Sequence, residues 1–344
     1  MDFDWTMLDE LRASYLNGTA GTADYWKSEA LLRGYDATFA RRIAWKWHWV
    51  LRELDRRGWS PPEGSLLDYG CGTGVAAREV LSRYGAASFT SVTLHDRSPR
   101  AQMFAADAVR QENADISVES RLPDQCGLLL VSHVLPELDG PGVAALVRAA
   151  ENAQSIIFVE PGTSAVSAKL VEMREKLRDS FHAVAPCTHS EQCGLTRPGQ
   201  EANWCHFFAQ PPTEVYTDGD WVHFGRVMGI DLRSLPLSFL VLDRRPPIPH
   251  IADEVRVIGS PRLFKGYALL DGCTSEGVEE KRFMKRVDPP FFRAMDKNKV
   301  STLQHWECKG IDIVSVRAVD LPSASEVETT ASDQGGDTPS SGSV

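Results

Sequence analysis

The sequence predicts an α/β fold: a mostly parallel sheet covered by helices on both faces, extended by N-terminal helices, a cysteine-rich insertion and a small β-rich C-terminal appendage. Three observations predict it. Between residues 65 and 160, short apolar runs alternate with helical stretches at the spacing of strand–helix–strand units. A glycine-rich loop follows the first apolar run, where a strand turns into a helix. Three cysteines then fall within nineteen residues of an otherwise irregular stretch.

Residues 1–60 read as helical. In DATFARRIAWKWHWVLRELDRRG, Phe39, Ile43, Trp47, Val50, Leu51 and Leu54 keep helical spacing, and Gly58 supplies a stop. Arg41, Arg42, Lys46 and Arg52 lie between them beside Trp45 and Trp49. That mixture suits an RNA-facing helix, but a helix packed on the neighbouring domain is the simpler reading. Strands are expected in SLLDYG, SVTLHD, GLLLVSH and SIIFVEP, with a weaker one at Ile116–Glu119. VAAREVLSRY, PRAQMFAADAVRQEN and GVAALVRAAENA are the helices between them, Ser98 being the expected N-cap and Pro99 the first-turn residue of the second. SAVSAKLVEMREKLRDSF is a further helix, and LPLSFLVLDRR a further sheet strand. The expected organisation is a helical region over 1–60, a Rossmann-like domain over 61–245 that includes the cysteine-rich insertion 182–225, a β-rich domain over 246–318, and a disordered acidic tail over 319–344.

Composition narrows the class of function. The chain has 344 residues, 42% of them hydrophobic, enough for one large or two smaller cores. No run approaches the roughly 18–20 apolar residues that cross a bilayer. The acidic start MDFDWTMLDELRAS resembles neither a secretory signal nor an Arg-rich presequence, so a cytoplasmic monomer is expected, in a prokaryotic setting and with no membrane partner. A net charge of −10 disfavours nucleic-acid binding over the whole surface, yet Arg244 to Lys299 holds 12 Lys/Arg against 8 Asp/Glu. RNA contact, if present, belongs there; a solvated face is the plainer alternative.

The strongest motif is LLDYGCGTG. Asp68, Gly70, Gly72 and Gly74 form D-x-G-x-G-x-G, in which glycines allow a tight turn and close approach of a ligand. The helix that follows favours a carboxylate at its N-terminus. Asp68 suits a cofactor ammonium group or the loop itself. Asp96, at the tip of the second strand and 22 residues beyond Gly74, suits ribose hydroxyls. A dinucleotide fold is the rival, but the preceding acid, the glycine spacing and the later SHVLPEL point to a class I S-adenosylmethionine-dependent methyltransferase fold. Gly127 stands where that superfamily often carries Asp.

No residue plainly carries catalysis. Methyl transfer needs alignment more than acid–base chemistry. The place of the Asn/Asp-Pro-Pro-aromatic tetrad of amino-methylating enzymes holds SHVL, residues 132–135, and Pro186–Cys187 lies too late to be a cytosine-C5 nucleophile. His133 is the weak catalytic candidate, a structural hydrogen bond being the plainer reading; Glu137 and Glu160 are similarly open.

Five residues separate Cys187 from Cys193 and eleven separate Cys193 from Cys205, with His189 and His206 interspersed. Without an export signal, metal chemistry outranks disulfides, and buried unligated thiols are the bland alternative. Zinc would take three or four of these thiolates. A [4Fe–4S] cluster wants four, with Cys273 or Cys308 supplying the last. Spacing leaves both metals open.

DYGCGTG, HDRSP, SHVLPEL, VEPG, APCTHSEQC, NWCHF and LDGCTSEG together resemble the methyltransferase-like protein 17 family, in its bacterial branch, from about Tyr35 to Trp306. The resemblance implies a Rossmann methyltransferase core with an iron–sulfur insertion, and Cys187, Cys193, Cys205 and Cys273 as the ligands of a [4Fe–4S] cluster. It also implies binding to the small ribosomal subunit and its RNA, in methylation, assembly or translation. Two alternatives differ in class: a non-catalytic assembly factor on the same fold, and a small-molecule methyltransferase with structural zinc.

Overall fold

The computed structural model describes residues 4–17, 24–247, 254–297 and 299–318, so the expected tail at 319–344 lies outside the described residues. Helix α1 (Trp5–Leu16) and α2 (Glu29–Tyr35) lead through a π-helical turn, Asp36–Ala40, into α3 (Arg41–Arg56). Gly58, at φ 64°, ends that helical run in a backbone conformation glycine adopts freely. Trp47, Val50, Leu51 and Leu54 of α3 are buried, as their spacing requires. The packed reading of the helix holds: Trp45 lies 4.8 Å from the Trp221 ring, and Trp49 stacks on Phe207.

The central sheet runs β3 (Val118–Glu119), β2 (Val92–His95), β1 (Leu66–Tyr69), β4 (Cys126–Ser132), β5 (Ala153–Pro161), β8 (Leu235–Asp243) and β6 (His182–Ala185), with β7 (Phe207–Ala209) also paired to β8. The first five strands are parallel, and β8 is antiparallel to both β5 and β6. This is the mixed Rossmann-like sheet of class I methyltransferases. β4 is buried from Cys126 to Val131, because helices cover both faces of a parallel strand. Those helices are α4 (Val75–Tyr84), α5 (Pro99–Glu112), α6 (Gly140–Glu151) and α7 (Ser164–Leu177). Ser98 holds the N-cap position of α5, but its hydroxyl donates to Asp24 instead of capping the helix. Gly127 has a steric reason: a Cβ there would lie 2.5 Å from the carbonyl oxygen of Glu63.

Residues 182–225, expected to be irregular, contain β6, β7 and most of a helical pair, α8 (Glu214–Thr217) and α9 (Gly219–Met228). Beyond β8, strands β9 (Glu254–Leu263), β10 (Tyr267–Thr274), β11 (Gly277–Met284), β12 (Leu303–Lys309) and β13 (Asp312–Ala318) close into a barrel, with α10 (Pro289–Asp296) between β11 and β12. Val257, Ala268, Leu270, Phe283, Trp306 and Ile313 fill it. Gly272 makes room for Trp306, whose ring would sit 2.5 Å from a Cβ.

A buried ion network ties the barrel to the Rossmann-like core. Arg256 donates to Glu53 at 2.7 Å and to the Pro186 carbonyl at 2.8 Å, while Arg57 reaches Glu53 at 3.1 Å. Burial opposes ionisation of Glu53, but the two guanidiniums outweigh it and hold the carboxyl below its usual range. Among the described residues no helix is long and apolar enough to cross a membrane.

Candidate functional site

Two places concentrate chemistry. The first is the loop between β1 and α4. Gly70, Gly72 and Gly74 have φ of 75°, 54° and 76°, the left-handed region that excludes most side chains. A Cβ at Gly70 would lie 2.5 Å from Val134 Cγ2. The loop is pinned to the tip of β2, since the Gly70 and Cys71 amides donate to the His95 carbonyl. Asp96 spans it, accepting from Gly72 N and Ser98 N, both at 2.9 Å. Asp68 is fully buried beneath the loop and accepts from Ala77 N at 3.1 Å. Burial pushes its carboxyl up to about 7.

The sequence reading missed what covers this loop. Trp26, itself buried, lies against Gly72 and is held by Arg100, which donates to its carbonyl. Tyr25 sits under the Arg97 guanidinium and donates to Glu137 at 3.2 Å. Asp68 Oδ1, Thr73 Oγ1 and Trp26 Nε1 are buried without hydrogen-bond partners among the described residues. Such atoms are costly unless a ligand satisfies them. An amino-acid and nucleoside cofactor has the polar groups to do so, and the residues present fit one.

Where β4 gives way to the next turn, helix α3 takes the space. Trp47 Nε1 donates to Ser132 Oγ at 3.0 Å, and Lys46 Nζ stands 3.4 Å from His133 Nε2. His133 has a φ of 59°, rare for a side-chain-bearing residue, and its amide donates to the Val159 carbonyl. It precedes a 3₁₀ turn, Leu135–Glu137, and does not begin an α-helix. Burial pulls the His133 imidazole well below its usual range and Lys46 down to about 7. Beside them Glu160 accepts from the Val134 and Leu135 amides, and burial raises it to about 8.

The second place is a cavity lined by Cys187, Cys193, Cys205 and Cys273 together. Three come from the chain between β6 and β7, and the fourth from β10 of the barrel, so α7, β8 and the barrel meet around it. Hydrogen bonds fix the backbone at two of them: Cys193 N donates to Glu175 at 3.0 Å and Cys205 N to Ser167 at 2.9 Å. Gly194 packs so closely on the β10–β11 turn that a Cβ would meet Gly277 at 2.4 Å. Burial, then the neighbouring Cys187 thiol, raises Cys193 to about 11 and Cys273 to about 12. Arg174 and Arg256 also line the cavity. Arg174 is ion-paired with Glu175 and donates to the His189 and Glu191 carbonyls at 3.2 and 2.7 Å, while its Nε is buried without a partner among the described residues. Thiols are the donors that thiolate-ligated metals take, and the two arginines beside them are ion-paired with Glu175 and Glu53. The described residues contain no three Cys, His, Asp or Glu groups close enough to share one metal ion. Cys71 and Cys126 are buried elsewhere, and Cys308 is exposed on β12. Neither arginine carries a sequence signal of its own.

Solved structures similar to this chain include methyltransferases. The plantazolicin methyltransferase BpumL, in complex with S-adenosylhomocysteine, is 13% identical, with a TM-score of 0.38 over 70% of this chain and 100% of that one. NodS, an N-methyltransferase of Bradyrhizobium japonicum, is 12% identical with a TM-score of 0.34, covering 58% and 86%. An S-adenosylmethionine-dependent methyltransferase of Leishmania major is 13% identical with a TM-score of 0.36, covering 70% and 83%. Scores this low add nothing to the fold, which rests on strand order and the glycine loop. No curated protein matches the chain. The family described as mitochondrial small ribosomal subunit Rsm22 does match, over residues 39–300, a span that holds the glycine loop, the end of β4 and all four cavity cysteines; the chain belongs to that family.

Proposed function

We propose that this protein binds S-adenosylmethionine at the glycine loop, holds a [4Fe–4S] cluster on Cys187, Cys193, Cys205 and Cys273, and acts on the small ribosomal subunit. The Rsm22 family match carries this reading, because it spans both sites at once. Asp68, Gly70, Gly72, Gly74 and Asp96 form the cofactor cradle: the glycines admit the ligand's backbone-like portion, and Asp96 faces its ribose. Cys187, Cys193 and Cys205 of the insertion and Cys273 of the barrel would hold the cluster, which would cross-link the two, with Arg174 and Arg256 beside it. Zinc on the same thiols is the alternative metal.

A second reading, a non-catalytic assembly factor, is favoured by one observation. Trp47 and Lys46 of α3 already engage Ser132 and His133, where a methyl acceptor would lie. Sucrose-gradient sedimentation of a cell extract tests the shared core: the protein should travel with the small subunit, and protein remaining wholly at the top of the gradient would refute it. Methylation of small-subunit RNA by wild type, lost in Asp96→Ala, separates enzyme from scaffold.

A further inference from the structure

The barrel closes in the order β10-β11-β13-β12-β9, with β11 and β13 parallel and α10 between the third and fourth strands. That is the connectivity of the oligonucleotide-binding (OB) barrel. Ligands of such barrels lie across the second and third strands, between the turn joining the first two strands and the turn joining the last two. Here those strands are β10 and β11, and their outer face is divided. At one end Cys273 lines the cysteine cavity and its cross-strand partner Val278 is buried. At the other end the face opens toward the β9–β10 turn.

That turn carries a stacked aromatic pair. The Phe264 and Tyr267 rings lie 4.6 Å apart and 14° from parallel, and Phe264 is 45% exposed. The chain leaving β11 is bonded to the same turn, Lys285 N donating to the Gly266 carbonyl at 3.0 Å. This brings the backbone of Lys285 and Arg286 beside Lys265, all three residues being exposed, with Lys285 Nζ 5.6 Å from the centre of the Phe292 ring of α10. Neither segment, 263–267 nor 284–287, contains a carboxylate. In a chain of net charge −10, these three cations stand beside an exposed ring pair, with Asp288 next along the chain and Asp312 near enough to Arg286 to feel its charge. The β12–β13 turn borders the face from the other side, with Arg282 N bonded to the Ile311 carbonyl and Ile311 48% exposed.

We propose that this end of the barrel binds single-stranded RNA, with unpaired bases stacking on Phe264 and Tyr267 and phosphates meeting Lys265, Lys285 and Arg286. The choice of RNA rests on the small-subunit reading above. Single strands are favoured over duplex because stacking on a ring needs an unpaired base.

The test is fluorescence anisotropy of the full chain with a labelled single-stranded RNA of about 12 nucleotides, within the footprint of such barrels, over a range of salt. Phe264→Ala should weaken binding about 5- to 150-fold, the loss of one stacked base. The triple variant Lys265→Ala, Lys285→Ala, Arg286→Ala should flatten the slope of log affinity against log salt by about 2. All four side chains are exposed, and an unchanged Tm confirms that the variants fold. Wild-type affinity in both variants, or duplex bound as tightly as single strand, overturns the site. So does a wild-type protein that ignores the RNA yet still sediments with small subunits, an outcome that leaves the small-subunit reading standing. Absence of both activities removes both.

Discussion

Replacing Glu160 with glutamine should flatten the dependence of stability on pH. The side chain has no exposed surface, and its Oε1 accepts from Val134 N and Leu135 N, while Oε2 has no partner among the described residues. Burial raises the carboxyl to about 8 in the fold, whereas in the unfolded chain it titrates near 4.5. Between those values the folded protein holds one more proton than the unfolded one, so stability falls as pH rises. Each such proton is worth about 1.4 kcal/mol per pH unit, which makes about 3 kcal/mol between pH 5 and 7. Glutamine keeps the accepting oxygen and cannot titrate. Asp68 and Glu137, both raised by burial to about 7, add slopes of the same sign, but they do so in both proteins and cancel in the comparison. Lys46, lowered to about 7, is charged in both states over most of this interval. Urea unfolding followed by tryptophan fluorescence at pH 5, 6 and 7 reads the difference. Parallel stability lines for wild type and Glu160→Gln would refute the reasoning, because they would mean that Glu160 is ionised in the fold.

Three further outcomes follow from single contacts. Gly70→Ala places a Cβ 2.5 Å from Val134 Cγ2 at a φ of 75°; it should cost about 1–3 kcal/mol and abolish S-adenosylhomocysteine binding by calorimetry. Asp96→Ala removes the acceptor for Gly72 N and Ser98 N; affinity for S-adenosylhomocysteine should fall about 10- to 100-fold, while sedimentation with the small subunit persists. Arg256→Ala removes one of the two buried guanidiniums on Glu53, leaving Arg57; a loss of about 1–3 kcal/mol is expected, with limited proteolysis cutting first near the barrel.

The Rossmann-like half was legible because its constraints are local. Gly70, Gly72 and Gly74 all adopt positive φ, which few other residues tolerate, and β4 is apolar along its whole length because both faces are covered. Asp96 was legible by its distance from the loop. The rest depends on long-range partners. β6 is four residues long beside a cysteine-rich run, and nothing local shows that His182–Ala185 will pair with β8. Barrel closure joins β9 to β12 across more than forty residues of chain, where sequence shows only short β-forming runs. Lys46 reads as a solvated residue on an amphipathic helix, yet α3 is enclosed by β5, β7, β8 and α4, and the amine is buried. Arg174 and Arg256 acquire their place at the cysteine cavity only when α7 and the barrel converge on it.

The claim that the four cysteines form one metal-holding site has a direct measurement: iron, acid-labile sulfide and zinc in protein purified without oxygen, alongside its visible spectrum. About four iron and four sulfide per chain, lost in Cys187→Ser and in Cys273→Ser alike, is the predicted result, because the ligands come from both the insertion and the barrel. Zinc without sulfide, or full iron retained in Cys273→Ser, would contradict it.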